Sequence, residues 1–157
     1  MTHKSGYVNI IGNPNVGKST LMNALIGHKL SIITHKAQTT RHRILGILNQ
    51  KDYQIIFSDT PGVIAPEYKL QESMMNFVYS ALKDADVLIY MIEIGEKGLK
   101  DQKLFERLKK VTTPLLLLLN KIDLSEQDFV AKEMERWRIE FPAADLLPIS
   151  ALNNFNI

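Results

Sequence analysis

Residues Gly12-Asn13-Pro14-Asn15-Val16-Gly17-Lys18-Ser19 set two glycines, a lysine and a hydroxyl in the spacing G-x-x-x-x-G-K-[ST]. Such a segment is a phosphate cradle. Without a Cβ at Gly12 and Gly17 the backbone turns tightly and aims successive N–H groups at phosphate oxygens. Lys18 then reaches the β- and γ-phosphates, the Ser19 hydroxyl faces a magnesium ion, and Thr20 completes the nucleotide-binding run. A glycine-rich turn without a ligand is the competing reading. Against it, the apolar run Val8 to Ile11 supplies the strand that must precede the motif. Lys18 to Gly27 supplies the helix whose positive N-terminal end points at the same phosphates.

A second cluster, Asp59-Thr60-Pro61-Gly62, follows a strand pattern and brings a carboxylate to the carboxyl edge of a sheet, where ligands collect in α/β folds. Asp59 is expected to hold magnesium through a water, because that small ion keeps much of its hydration shell. The Gly62 N–H is expected on the γ-phosphate. Alone, this string is an ordinary turn sequence; downstream of a cradle it is a site.

The third cluster, Asn120-Lys121-Ile122-Asp123, sorts bases. The Asp123 carboxylate can accept hydrogen bonds from guanine N1–H and the 2-amino group, whereas adenine would leave that acceptor unpaired. The Lys121 stem is expected along the purine plane, with Asn120 bracing neighbouring loops. Ser150-Ala151-Leu152 is the weakest signal, with the Ala151 N–H expected at guanine O6.

These residues need rigid elements behind them. Apolar runs alternate with amphipathic stretches, the pattern of a three-layer α/β fold of the P-loop nucleotide-hydrolase type. Strands are expected at Tyr7 to Ile11, Arg43 to Asn49, Gln54 to Ser58, Val87 to Ile92, Leu115 to Leu119 and Leu146 to Ile149. They would form a mostly parallel six-stranded sheet with helices on both faces. The short Gln50-Lys51-Asp52 link makes a hairpin, so one edge strand should run antiparallel. Helical stripes recur at Leu70, Met74, Phe77 and Ala81, at Leu104, Phe105 and Leu108, and at Val130, Met134, Trp137 and Phe141, with Ser125 and Asp128 as an N-terminal cap. Leu30 to His42 and Thr60 to Lys69 read as loops coupled to nucleotide state.

With 157 residues the chain is sized for one domain, and its lack of cysteine excludes disulfides and thiolate metal sites. The run Leu115 to Leu119 falls far short of a membrane span, and no signal-type apolar region opens the chain. The expected location is the cytosol, with peripheral attachment at the inner face of the cell membrane as the alternative. A net charge of +2 argues nothing about nucleic acid. The local cluster Lys29, Lys36, Arg41 and Arg43, with three histidines, reads first as a solvated basic loop and second as an RNA-contacting surface.

Four motifs in this order, each at a strand end, resemble the translation-factor-related GTPases over the whole chain. Asn13-Pro14-Asn15-Val16, Lys36-Ala37-Gln38-Thr39-Thr40-Arg41-His42-Arg43 and Asp59-Thr60-Pro61-Gly62 look like the Era-type branch of the TrmE-Era-EngA group, bacterial ribosome-assembly GTPases. The resemblance implies GTP and GDP as ligands, magnesium held by Ser19, Thr40 and Asp59, and potassium beside the phosphates at Asn15. It implies that Lys18, Thr40 and Gly62 serve hydrolysis. Where many small GTPases carry a water-orienting glutamine this chain has Val63, so slow intrinsic turnover is expected. It also implies that residues 1–157 are a monomeric GTPase domain cut before a final helix and an RNA-binding KH domain. The intact protein would then act on 16S rRNA and the small ribosomal subunit. Asn154 stands where that family usually has glycine. Rival readings are a nucleotide-binding module that hardly turns over, a tRNA-modifying or tandem-domain GTPase of the same group, and an ATP-using small-molecule kinase.

Overall fold

The computed structural model describes residues 3–26, 30–32, 43–59 and 69–157. Strand β1 (Lys4–Ile11) leads through the phosphate-loop motif into helix α1 (Lys18–Ile26), and β2 (Leu30–Ile32), β3 (Arg43–Asn49) and β4 (Tyr53–Asp59) follow. Next come α2 (Lys69–Asp84), β5 (Val87–Glu93), α3 (Gln102–Lys109) and β6 (Leu115–Asn120). A 3-10 turn (Ile122–Leu124), α4 (Gln127–Glu140) and β7 (Asp145–Pro148) complete the order.

All six expected strands lie in one sheet, ordered β2-β3-β4-β1-β5-β6-β7. Strands β4, β1, β5, β6 and β7 run parallel, and the hairpin expected from Gln50-Lys51-Asp52 makes β3 antiparallel to β4. One correction concerns Leu30 to Ile32, expected as loop. These residues pair antiparallel with Leu48 to Gly46 and form a seventh strand outside β3. The antiparallel strand is therefore second from the edge. A three-residue strand carries too little periodicity to be read from sequence.

The continuous aliphatic character of β5 has the expected cause: Leu88, Ile89, Tyr90, Met91 and Ile92 are all buried, because both faces of this strand are covered. On one face, Leu88, Tyr90 and Ile92 pack with α2, α3 and α4 through Val78, Leu104, Leu108 and Trp137. On the other, Ile89 and Met91 meet Ile10, Val16, Leu21 and Met22. Tyr90, Phe105, Trp137 and Phe141 form an aromatic cluster, edge-on for Tyr90 against Trp137 at 5.8 Å and for Phe105 against Phe141 at 5.7 Å. In α2 the buried side chains are Met75, Val78 and Leu82, with Ala81 half-buried; the side chains of Leu70, Met74 and Phe77 lie outside the description.

A second correction concerns the start of α4. Glu126, not Ser125, occupies the N-cap position, and no side chain caps it. The preceding 3-10 turn explains the shift, since the Ser125 N–H closes that turn on the Ile122 carbonyl at 3.2 Å. A cap does form on α3, where Asp101 Oδ1 accepts from the Leu104 N–H at 3.1 Å. Among the described residues no helix is long and apolar enough to cross a membrane.

Candidate functional site

Parallel strands β1, β5, β6 and β7 deliver their following loops to the same edge of the sheet, as their registers require. The loop after β1 passes so close to β5 that a Cβ on Gly12 would lie 2.7 Å from the Met91 carbonyl oxygen. Gly17 stands at φ +109°, and a Cβ there would collide with the Asn120 side-chain amide. Both glycines are thus demanded by conformation and close approach. Asn15 adopts the left-handed region at φ 64°, with its side chain exposed, while Val16 is buried beneath the loop. The Gly17 carbonyl accepts from Leu21 N–H at 2.9 Å, so α1 grows directly out of the loop. The two glycines thus let the loop pack directly against the ends of β5 and β6.

Asn120, buried at the end of β6, is the expected brace. Its Nδ2 donates to the Val16 carbonyl at 2.8 Å, and its Oδ1 accepts from the Ala151 N–H at 3.0 Å. One carboxamide therefore joins the loops after β1, β6 and β7. That geometry differs from the expectation for Ala151: its N–H meets Asn120 Oδ1 in this structure. Ser150 Oγ donates to Asp123 Oδ1 at 2.8 Å and accepts from the Asn153 N–H at 3.3 Å, which orients the Asp123 carboxylate. A carboxylate offers about four lone-pair positions, so this bond leaves Asp123 capacity for a bidentate partner. Ile122 donates its N–H to the Ile149 carbonyl at 3.4 Å, and Leu152 is exposed. A cavity of about 590 Å³ opens beside Asp123 and Ser150, walled by Val130, Ala131 and Phe155; no residue of the phosphate loop lines it.

Lys121 sits at φ 65° and its Nζ reaches the phosphate loop and the end of β5 at once, donating to the Asn15 carbonyl at 2.8 Å and pairing with Glu93 Oε1 at 3.0 Å. Glu93 lies in none of the four sequence clusters. Asn13, expected in the cradle through its backbone, has its side chain buried and turned to the segment after β5. There Nδ2 donates to the Gly98 carbonyl at 2.8 Å and Oδ1 accepts from the Lys100 N–H at 2.9 Å. Only the main chain of Asn13 is left for the cradle.

Glu96 lies in that same segment. It accepts from Tyr90 Oη and from the Glu93 N–H, each at 3.4 Å, and Arg136 of α4 donates to its carbonyl. Burial raises the Glu96 carboxyl to about 7, with hydrogen bonds from the Glu93 backbone, Tyr90 and Asn13 opposing the rise. Burial likewise pushes the Tyr90 phenol far above its ordinary range, so it stays a neutral donor.

Thr40, Thr60, Pro61, Gly62 and Val63 lie outside the described residues, as do Lys29, Lys36 and Arg41 of the basic cluster. Ser19 and Asp59 are described in backbone only, at the start of α1 and the end of β4. Pro14 and Thr20 keep their expected places in the loop and in α1.

Comparison with known proteins identifies relatives of the chain. The chain is 46% identical over 156 residues to GTPase Era of Staphylococcus epidermidis, covering 99% of this chain and 52% of that protein. It thus spans about half the length of the curated relative. It superposes on an Aquifex aeolicus Era variant bound to GDP and AlF4− with TM-score 0.78 and 40% identity, covering 98% of this chain and 53% of the other. A structure of Era in complex with MgGDPNP and nucleotides 1506–1542 of 16S ribosomal RNA matches with TM-score 0.79 and 39% identity over 98% of this chain and 53% of that one. Residues 7–121, which hold the first two clusters in full and the third as far as Lys121, match the sequence profile described as "50S ribosome-binding GTPase", and the chain belongs to that family.

Proposed function

We propose that this chain binds GTP and GDP and hydrolyses GTP as a two-state switch, and that the protein of which it forms the GTPase domain acts on 16S rRNA in maturation of the small ribosomal subunit. The observation that carries the proposal is the Asn120 carboxamide, which ties a phosphate-shaped loop to the strand end that presents Asp123. The two recognition elements are held as parts of one ligand site. Base selection then rests on Asp123, oriented by Ser150, and tail binding on the amides of residues 12–18 with the Lys18 ammonium.

During hydrolysis, water attacks the γ-phosphorus in line, and Lys18 with the loop amides takes up charge on the transferring oxygens. Ser19, Thr40 and Asp59 would hold magnesium, which would supply charge neutralisation at the phosphates. The exposed amide of Asn15 offers an oxygen donor suited to potassium. Thr40 and Gly62 sense the γ-phosphate and release their segments after hydrolysis, while Val63 supplies no hydrogen bond to the attacking water. The domain works as a monomer in the cytosol or at the inner membrane face. RNA contact belongs mainly to a further KH domain of the intact protein.

The test is competition for a fluorescent GDP analogue, followed by single-turnover hydrolysis of GTP in potassium and in sodium. GTP is expected to compete at least a hundredfold better than ATP, and Asp123→Asn to move preference toward xanthine nucleotides. Hydrolysis is expected to run faster in potassium. ATP binding as tightly as GTP defeats the base assignment, and equal, vanishing rates in both salts favour the module that binds without turnover.

A further inference from the structure

Lys121 of the third cluster and Asn15 of the first meet directly. Both residues hold the left-handed backbone region, at φ 65° and φ 64°, and one hydrogen bond of 2.8 Å joins the lysine Nζ to the asparagine carbonyl. Asparagine tolerates that region; for a long side chain such as lysine it is uncommon and persists where surrounding contacts over-determine it. The second contact on the ammonium is Glu93 Oε1 at 3.0 Å.

Glu93 is placed by a rigid element. It is the last residue of β5, its Cα pairs in register with Asn120, and the next amide, Ile94 N–H, donates to the Asn120 carbonyl at 3.0 Å. The Glu93 N–H is itself held by Glu96 Oε1 at 3.4 Å. A carboxylate carried on a backbone fixed in this way offers the lysine ammonium a counter-charge at a defined strand end. With side-chain exposures of 40% for Glu93 and 31% for Lys121, the pair is too solvated to matter much for folding. Its geometry matters instead for where the lysine stem lies.

We infer that Glu93 is a positioning residue for nucleotide binding, whose carboxylate holds the Lys121 ammonium against the phosphate loop and so fixes the lysine stem as a wall of the base site. The inference rests on the guanine-nucleotide reading given above. It makes the lysine a strut between two loops as well as a surface for the purine, and it assigns the strut's far anchor to the β5 strand end.

Stopped-flow release of a fluorescent GDP analogue tests it on the wild-type chain, Glu93→Gln, Glu93→Asp, Lys121→Met and the double variant Glu93→Gln/Lys121→Met. Glu93→Gln keeps the shape and removes the charge, so thermal stability is expected to hold while GDP release speeds about two- to fivefold. Glu93→Asp should recover part of that loss. In the Lys121→Met background the glutamine change should add nothing. Raising salt from about 0.05 M to about 0.5 M should shrink the difference between wild type and Glu93→Gln, because a half-exposed pair is screened. Equal release from wild type and Glu93→Gln overturns the inference and leaves the guanine reading standing, as does the same acceleration with Lys121 removed. A wild-type chain that fails to bind guanine nucleotides takes both down together.

Discussion

Gly17 shows how one atom decides the chemistry of this site. Its φ of +109° is already costly for any L side chain, and the space a methyl would need is filled by the Asn120 amide. Gly17→Ala must therefore strain the loop and displace Asn120 from Val16. We expect a loss of about 2–3 kcal/mol in chemical denaturation and at least a tenfold fall in GDP affinity by titration calorimetry. Unchanged affinity would mean that the loop does not carry the phosphates. Residues of this kind were readable from sequence because glycine spacing is local. Asn120 was legible as a brace for the same reason, since its motif follows a strand. What eluded the sequence is where its neighbours turn. Asn13 and Gly98 lie 85 positions apart, and only the fold brings them together. The Ala151 amide meets Asn120 because β6 and β7 lie side by side with Leu119 opposite Pro148, a register that no short motif encodes.

The segment between β5 and α3 is the element least visible beforehand and among the most connected in the fold. It carries the Asn13 contacts at Gly98 and Lys100, the Arg136 contact at Glu96, and the Glu96 bonds to Tyr90 and Glu93. Burial lifts Glu96 from 4.5 to about 7, so between those values the folded chain binds more protons than the unfolded one. Stability from this group is therefore full at low pH, falls as pH rises through that window, and levels off above it. Discounted for solvent, the fall is about 1–2 kcal/mol. Denaturation midpoints at a series of pH values check this, and Glu96→Gln is expected to flatten the slope. Long apolar strands such as β5 and β6 were legible because their composition reports burial on two faces. The cap of α4 was misplaced by one residue because a 3-10 turn, invisible to helical periodicity, takes Ser125 first. Leu30 to Ile32 escaped because edge pairing, not pattern, makes it a strand.

At the scale of the molecule, stability concentrates on the face where α3 and α4 close over β5. Trp137 is fully buried there, stacked on Phe141 at 6.1 Å and crossed by Tyr90 and Phe105. Trp137→Ala should cost about 3–5 kcal/mol, much of the roughly 5–15 kcal/mol a domain of this size holds in reserve. Urea unfolding measures the loss, and saturating GDP should restore part of it through mass action. A cost below about 1 kcal/mol would place the centre of the core elsewhere. The other face of the sheet runs from α1 to the site through Val16, which lies under the phosphate loop with Met91 and Ile10. A single carboxamide on Asn120 then sets the separation between the loop after β1 and the loop after β7. The two loops are yoked through one side chain, so a substitution at Asn120 reaches both of them together.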